Sequence, residues 1–360
     1  MPARIISGVG CVKNNSSVFS SYGKSCLIVC GGSSASKSGA LSDVCQALTK
    51  EDIQYEIFDK IQANPHTETC FEGGKIAREI SADFIVGIGG GSPQDSAKAI
   101  AIYASNPDMP ELGIYNRSGC NRPLPVILVG TTSGTGSEVT GVSVLTRSDN
   151  GFKQSVSGPD CYASLSFCDY TYTKSMPRNV AISTALDAYA HASESYLAST
   201  ANDISRLYAA KALPMLFQVF RFFESGEEIT DEIREKQYIA SIYAGLAINI
   251  TGCLFPHTLG YALTELYGIP HGKACTAFHG LLIEKAEEHS PERMAEIYRI
   301  TSTTPDEYRR IVSVLTDVHI NMGEDKARTL SERWINGNKN FNKTPGGVTT
   351  EDIARVLAEI

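Results

Sequence analysis

The sequence predicts an α/β first half built on a doubly wound parallel sheet, followed by an all-α second half. Three observations carry this expectation. Short apolar, β-rich runs in the first half each end in a Gly/Ser-rich turn, helical stretches separate them, and from about Pro177 onward helical periodicity replaces the β-rich runs.

Taken in order, Ser25–Cys30 (SCLIVC) runs into GGSS, and Gln54–Phe58 follows a helical stretch over Ala40–Thr49. Phe84–Ile88 (FIVGI) runs into GGGS, and Pro125–Val129 (PVILV) into GTTSGTGS. Strands alternating with helices in this way build a parallel sheet whose ligand lies beyond the carboxyl ends of the strands. In the second half, Ala181–Leu197, Ile204–Phe223, Asp231–Ile248 and Pro291–Arg299 have the period of helices. No Pro-, Gly- or Ser-rich linker separates the halves, so the boundary near Met176–Pro177–Arg178 reads as a tight hinge over a cleft. The expected domains are residues 1–177 and 178–360. No internal repeat is visible.

A chain of 360 residues, 42% of them hydrophobic, can bury two cores. The net charge of -8 argues against nucleic acid or an anionic membrane as partner, since both need clustered Lys and Arg. No apolar run approaches the ~18 residues of a membrane span, and MPARIISGVG lacks the pattern of a signal peptide. The expectation is a soluble cytoplasmic enzyme. Ten scattered cysteines without a CxxC pair read as reduced, mostly buried thiols.

In SADFIVGIGGGSPQDSAKAIAI an apolar strand meets three glycines and then a helix, with Ser92 as the expected N-cap and Pro93 as the first helical residue. Gly89, Gly90 and Gly91 let the backbone approach a ligand, and the free N–H groups at the helix start suit a pyrophosphate. Such a turn is also an ordinary strand-to-helix connection; the strand before and helix after it favour binding. A second loop, Gly130–Thr140, offers Thr131, Thr132 and Thr135 to cofactor phosphate, ribose or amide. Two such loops after consecutive strands would face one crevice. The first loop, Gly31–Lys37 (GGSSASK), bears on the cofactor: a dinucleotide without a 2′-phosphate is usually held by an acid on its ribose, and none occurs between Cys30 and Leu41. Gly31 and Gly32 leave room, Ser33 and Ser34 can donate to a phosphate, and Lys37 adds positive charge. The loop therefore favours NADP(H) over NAD(H), against a reading as a merely solvated turn.

Asp187 and His191 are spaced i, i+4 in one helical stretch and so share a face. His257 and His271 lie in the segment 252–272, where a helix should end at Gly268–Ile269–Pro270. A lone histidine on an apolar face is usually a core residue. One carboxylate and three imidazoles in this pattern instead suit Fe²⁺, or alternatively Zn²⁺, better than a Cys-built structural site does.

These residues resemble the iron-containing (group III) alcohol dehydrogenases. The matching pieces are Asn64–Pro65, GGGSPQDSAKA (Gly89–Ala99), TTSGTGSEVT (Thr131–Thr140), Met176–Pro177, DAYAHASE (Asp187–Glu194), His257 and GIPHG (Gly268–Gly272). They run in order from about Ile5 to His279, and beyond Leu282 the similarity is diffuse. The resemblance implies an N-terminal dinucleotide-binding domain, a helical C-terminal metal-binding domain, and a catalytic divalent metal in the cleft between them. It carries Asp187, His191, His257 and His271 over as ligands, and implies a homo-oligomer, a dimer. Lys153, in GFKQSV, is similar to the family lysine near the cofactor. Asp95, in the glycine motif, joins the cofactor-binding candidates, and GGSSASKSG is similar to the NADPH-using branch. The implied reaction interconverts a small alcohol and aldehyde, the metal acting as a Lewis acid toward the substrate oxygen and the dinucleotide carrying the hydride.

One departure stands out. Many members carry a histidine implicated in proton transfer four residues after the ligand matching His257, and here that residue is Tyr261. In a helix Tyr261 shares a face with His257, first as packing and second as a catalytic hydroxyl. His279 has no assigned role. HTLGYALTELYGIPHG resembles a branch that includes phosphonoacetaldehyde reductases, while neighbouring branches act on plain short-chain aldehydes. A dehydroquinate synthase-like lyase is the alternative reaction class, disfavoured by the Asp187–His191 helix because those enzymes use a ligand set containing Glu. A non-catalytic descendant is disfavoured because all four ligand positions are filled.

Overall fold

Strands buried on both faces need near-continuous apolar runs, and this chain supplies them. The computed structural model describes residues 3–320, 322–335 and 339–360. Its strands are β1 (Arg4–Ser7), β2 (Ser25–Val29), β3 (Gln54–Phe58), β4 (Phe84–Gly89), β5 (Val126–Gly130), β6 (Val142–Thr146), β7 (Lys153–Ser157) and β8 (Leu165–Cys168). Six of them form one sheet in the order β1-β8-β5-β4-β2-β3, and every neighbouring pair is parallel. Every residue of β4 and β5 is buried. The pair β6 and β7 forms a separate antiparallel hairpin.

Alternate residues of the central strands feed two cores. Leu27, Val29, Ile85 and Leu128 pack with Cys70, Ala77, Ala97 and Ile100 from the helices Thr67–Glu79 and Gly91–Ser105. Cys26, Ile28, Phe84 and Val86 pack with Ala40, Val44 and Leu48 from the helix Ala40–Lys50. Helices thus cover both faces of a doubly wound parallel sheet. From β2 the chain moves to β3 on one side and then to β4 and β5 on the other, so the strand order reverses between β2 and β4. Ligands of open α/β sheets bind outside the carboxyl ends of the strands at this point. The turns that leave β2, β4 and β5 are the three Gly/Ser/Thr-rich loops.

Two expectations need correction. The helix after β4 begins at Gly91, with Gly90 as an extended N-cap (φ -78°, ψ -160°), so Ser92 sits inside the first turn and makes no capping bond. Glycine is itself an acceptable N-cap, and successive glycines let the helix start a residue early. The hairpin and the sheet strands β1 and β8 were not among the predicted β-rich runs; β1 and β8 have only four residues each.

The chain divides into two compact units, Met1–Thr132 with Gly136–Met176, and Ser133–Thr135 with Pro177–Ile360. The short segment joins the second unit through Gln237, whose amide donates to the carbonyls of Ser133 (3.1 Å) and Ala181 (2.9 Å). Among the described residues the second unit contains helices and no strand, beginning with Arg178–Leu197, Asp203–Ser225, Asp231–Thr251, Phe255–Tyr267, His271–Thr276 and His279–His289. Arg178–Leu197 is buried along most of its length, polar residues included. The start of His271–Thr276 lies so close to it that a Cβ at Gly272 would stand 1.8 Å from the Ser183 carbonyl oxygen. Only glycine fits there.

Candidate functional site

A buried helix that carries Asp187, His191 and Glu194 on one stripe must find partners for them, because buried polar groups left unpaired are strongly destabilising. Asp187 and His257 are 3% and 2% exposed. His257 lies in the first turn of Phe255–Tyr267, and Gly268, in left-handed backbone (φ 66°), stops that helix and leads to His271 at the start of the next. The Asp187 Oδ1 atom is 3.5 Å from His257 Nε2 and 3.8 Å from His271 Nε2. Among the described residues neither Asp187 Oδ1 nor His257 Nε2 has a hydrogen-bond partner, and the same holds for His191 Nδ1. Orphaned donor-capable atoms facing one another in a dry interior are the pattern a cation satisfies.

The structure does not gather the four predicted ligands into one equal set. Asp187, His257 and His271 share a donor cluster with Cys275, while His191 forms a second cluster with Cys253 that also includes His257. The His191 and His257 rings stack at 4.5 Å and 16°. Burial would raise the Asp187 pKa, but the pull of His191, His257 and His271 outweighs it and holds the carboxylate ionised. His191 is driven down, first by burial. His257 goes up: burial opposes its charged form, and Cys275 and Glu194 overcome that penalty.

Sequence reasoning missed Glu194 and Cys275, although both spacings were readable. Glu194 lies seven residues after Asp187, two turns along the same face, and Cys275 lies i+4 from His271. Fully buried, Glu194 accepts from His257 Nδ1 at 2.6 Å and from the Leu254 N–H at 2.7 Å. Tyr261 stacks flat on His271, ring centroids 5.2 Å apart and planes 6° from parallel, and burial raises its hydroxyl pKa. His279 is a core residue: its Nε2 meets Ser193 Oγ at 3.0 Å, its ring packs 5.0 Å from Tyr189, and burial pushes its pKa down to about 4.

In the first unit the loop after β2 leaves Gly32, Ser33 and Lys37 exposed and Ser34 partly so. Gly31 is tightly packed instead, since a Cβ there would lie 1.7 Å from the Ile61 carbonyl oxygen. Loops after β4 and β5 touch: a Cβ at Gly90 would meet Thr132 Oγ1 at 2.9 Å, and the Thr131 N–H donates to the Gly89 carbonyl at 3.0 Å. The Thr131 hydroxyl is buried without a partner among the described residues. Gly89, Gly90, Gly91 and Ser92 form the strand-to-helix turn, and Thr135 belongs to the segment grouped with the second unit. Asp95 is occupied within the fold, accepting from Ser137 Oγ at 2.6 Å and from the Val144 N–H at 2.9 Å. Lys153 opens β7 opposite Thr146, and its charge acts on Asp95. Beside Asp95, the buried Lys98 ammonium donates to the carbonyls of Ser137, Thr140 and Val142 at 2.8–3.0 Å and so anchors the end of the threonine loop and the start of β6.

The family profile "Iron-containing alcohol dehydrogenase" matches residues 2–170, and "Fe-containing alcohol dehydrogenase family, C-terminal" matches residues 181–359. The chain is 26% identical over 327 residues to the NADPH-dependent butanol dehydrogenase of Clostridium saccharobutylicum, covering 89% of this chain and 83% of that one. It is 29% identical over 371 aligned positions to the NAD-dependent methanol dehydrogenase of Bacillus methanolicus, covering 98% and 90%. Its fold superposes on an iron-containing alcohol dehydrogenase of Thermotoga maritima with a TM-score of 0.92 at 32% identity, over 100% of this chain and 98% of that one. Two matched profiles that between them span both halves, and a full-length structural likeness, lead to one conclusion: this chain belongs to the iron-containing alcohol dehydrogenase family and is an oxidoreductase.

Proposed function

We propose that the enzyme is a metal-dependent alcohol dehydrogenase/aldehyde reductase that prefers NADP(H) to NAD(H), binds Fe²⁺ or alternatively Zn²⁺, and acts on a small alcohol or aldehyde. The observation that carries the reading is the set of orphaned buried atoms, Asp187 Oδ1 and His257 Nε2, aimed at one point with His271 beside them. Asp187, His257, His271 and His191 would hold the ion. An ion held there supplies Lewis acidity toward the substrate oxygen, and the nicotinamide supplies or accepts the hydride.

The chain's own residues do the rest. Glu194 takes the Nδ1 proton of His257 into a short hydrogen bond and so leaves Nε2 as the free donor atom. Tyr261 fixes the His271 ring by stacking, which supports a positioning role ahead of proton transfer. On the first unit, the turns after β2, β4 and β5 would bind the dinucleotide through Ser33, Ser34, the glycine turn with Ser92, Thr131 and Thr132. The exposed Lys37 and the absence of any acid between Cys30 and Leu41 favour the 2′-phosphate. Asp95 and Lys153 would act from behind these turns, ordering the chain that follows them. Both relatives are named for short alcohols, which supports a small substrate.

The test is a panel of short aldehydes, phosphonoacetaldehyde among them, assayed with NADPH and NADH on metal-replete enzyme. The expected kcat/KM favours NADPH by about tenfold, equivalent to ~1.4 kcal/mol. Chelation should abolish turnover and Fe²⁺ should restore it. A clear preference for NADH, or full activity in the chelated enzyme, overturns the corresponding part of the reading.

A further inference from the structure

Gln237, on the helix Asp231–Thr251, is 1% exposed and has no part in the scheme above. Its Nε2 amide donates to the Ser133 carbonyl at 3.1 Å, the Ala181 carbonyl at 2.9 Å and the Thr184 hydroxyl oxygen at 3.1 Å, so two hydrogens serve three acceptors. Its Oε1 is buried with no partner among the described residues. A half-satisfied amide in a core is less stable than an apolar side chain of the same size, so what its N–H groups hold explains its place.

They hold the segment Ser133–Thr135, in the middle of the loop Gly130–Thr140, against the helix Arg178–Leu197. Thr184 lies one turn before Asp187 on that helix. Gly134 makes the seat a close one, since a Cβ there would stand 2.6 Å from the Thr184 carbonyl oxygen and 2.7 Å from the Thr184 Cβ. Segment, helix and Gln237 belong to one compact unit.

We infer that Gln237 is a positioning residue for the dinucleotide: its amide fixes the Ser133–Thr135 stretch of the threonine loop on the helix that carries Asp187 and His191. The inference rests on the reading of that loop as a cofactor loop. Gln237 acts through the backbone, because Thr131 and Thr132 lead into the seated segment and Thr135 ends it. A segment already seated loses less conformational freedom when a ligand binds, and the gain appears as affinity for that ligand. The amide hydrogens go to the loop and to the first turns of the helix, not to the donor atoms of the metal centre, so the effect belongs to the dinucleotide.

Calorimetric titration of NADPH and NADH into the full chain loaded with Zn²⁺ tests this, with zinc affinity measured in parallel by chelator competition. Gln237→Met removes the amide and keeps the length of the side chain. Its Kd for the dinucleotide should rise by about tenfold, as for one or two lost hydrogen bonds, with zinc affinity kept at the wild-type value. In steady state the loss should fall on KM for the dinucleotide more than on kcat. Gly134→Ala lifts the same segment from the other side of the contact, leaves Gln237 in place and should raise the same Kd, so it decides the matter if Gln237→Met does not fold. An unchanged Kd in either folded variant overturns the inference. Zinc and dinucleotide affinities that fall together would make Gln237 a general support of the helix and overturn it as well. A wild-type chain that binds neither NADPH nor NADH overturns the cofactor-loop reading itself, a result distinct from either of these.

Discussion

Glu194 Oε1 accepts a 2.6 Å hydrogen bond from His257 Nδ1, and its other oxygen takes the Leu254 N–H just before that helix begins. One fully buried carboxylate therefore sets both the tautomer of the ring and the start of the helix that carries it. Outer partners of this kind are worth about 10–100-fold in metal affinity. Glu194→Gln keeps an acceptor for Nδ1 but loses the charge, so metal affinity measured by chelator competition should fall by about that range. Glu194→Ala should fall further. Equal affinity in a folded Glu194→Gln protein would reduce the residue to a structural anchor.

His271 offers the cleanest deletion at the centre, because its side chain is 29% exposed whereas that of Asp187 is 4%. His271→Ala should therefore fold, and its metal content and turnover should fall together. Elemental analysis alongside steady-state rates checks this; full activity with a full metal load would remove His271 from the set.

The fold class and much of the candidate site were legible because they rest on local patterns. Alternating β-rich and helical runs indicated the sheet, and the turns after β2, β4 and β5 stood out by composition. What was not legible depended on contacts distant in sequence. The parallel pairing of β1 with β8 joins residues 4–7 to 165–168, and no local period encodes it. Ser92 looked like an N-cap, yet Gly90 takes that place because the glycines let the helix begin sooner. Division of the donors into a cluster with Cys275 and another with Cys253 follows from helix packing at Gly260 and Gly272, which only the assembled helices reveal.

The same packing makes a stability prediction. A methyl at Gly272 would meet the Ser183 carbonyl oxygen at 1.8 Å and the Asp187 backbone nitrogen at 2.7 Å, and helix backbone of this kind gives little room to relax. Overpacking of this kind costs about 1–3 kcal/mol. Gly272→Ala should lower Tm and, by shifting the adjacent His271, lower metal affinity at temperatures where the protein remains folded. An unchanged Tm would show that the two helices can separate freely.

Cofactor preference can be probed in the loop after β2. The acid that would repel a 2′-phosphate cannot be placed at Gly31, where a side chain collides with Ile61, so Gly31→Asp should damage folding before it changes preference. Gly32 is exposed and open, though its φ of 57° charges any side chain about 1–2 kcal/mol of strain. Asp is among the residues that best tolerate this conformation. Gly32→Asp should therefore lower kcat/KM for NADPH by about tenfold or more, ~1.4 kcal/mol, while changing that for NADH much less. Parallel losses with both cofactors would point to general damage to the loop.

Tyr261 stands where the family resemblance implies a proton-relaying histidine, and its flat stacking on His271 argues for a different duty. A ring lying 6° from parallel with the His271 ring restrains that proposed ligand through its face, and the hydroxyl plays no part in the restraint. Tyr261→Phe keeps the face and removes the hydroxyl, so metal affinity and kcat should both stay near wild type. Tyr261→Ala removes the face and should weaken metal binding. A hydroxyl relay predicts the opposite for Tyr261→Phe, a loss in kcat of about 10²-fold, the lower bound for general acid–base assistance. Loss of a hydroxyl could also loosen substrate, so kcat must be separated from KM, and single-turnover hydride transfer keeps product release from hiding the chemical step. A solvent isotope effect on that step gives a second reading. With water as the donor it should be the same in wild type and Tyr261→Phe, whereas a relay through Tyr261 concerted with hydride transfer should give an effect that disappears with the hydroxyl.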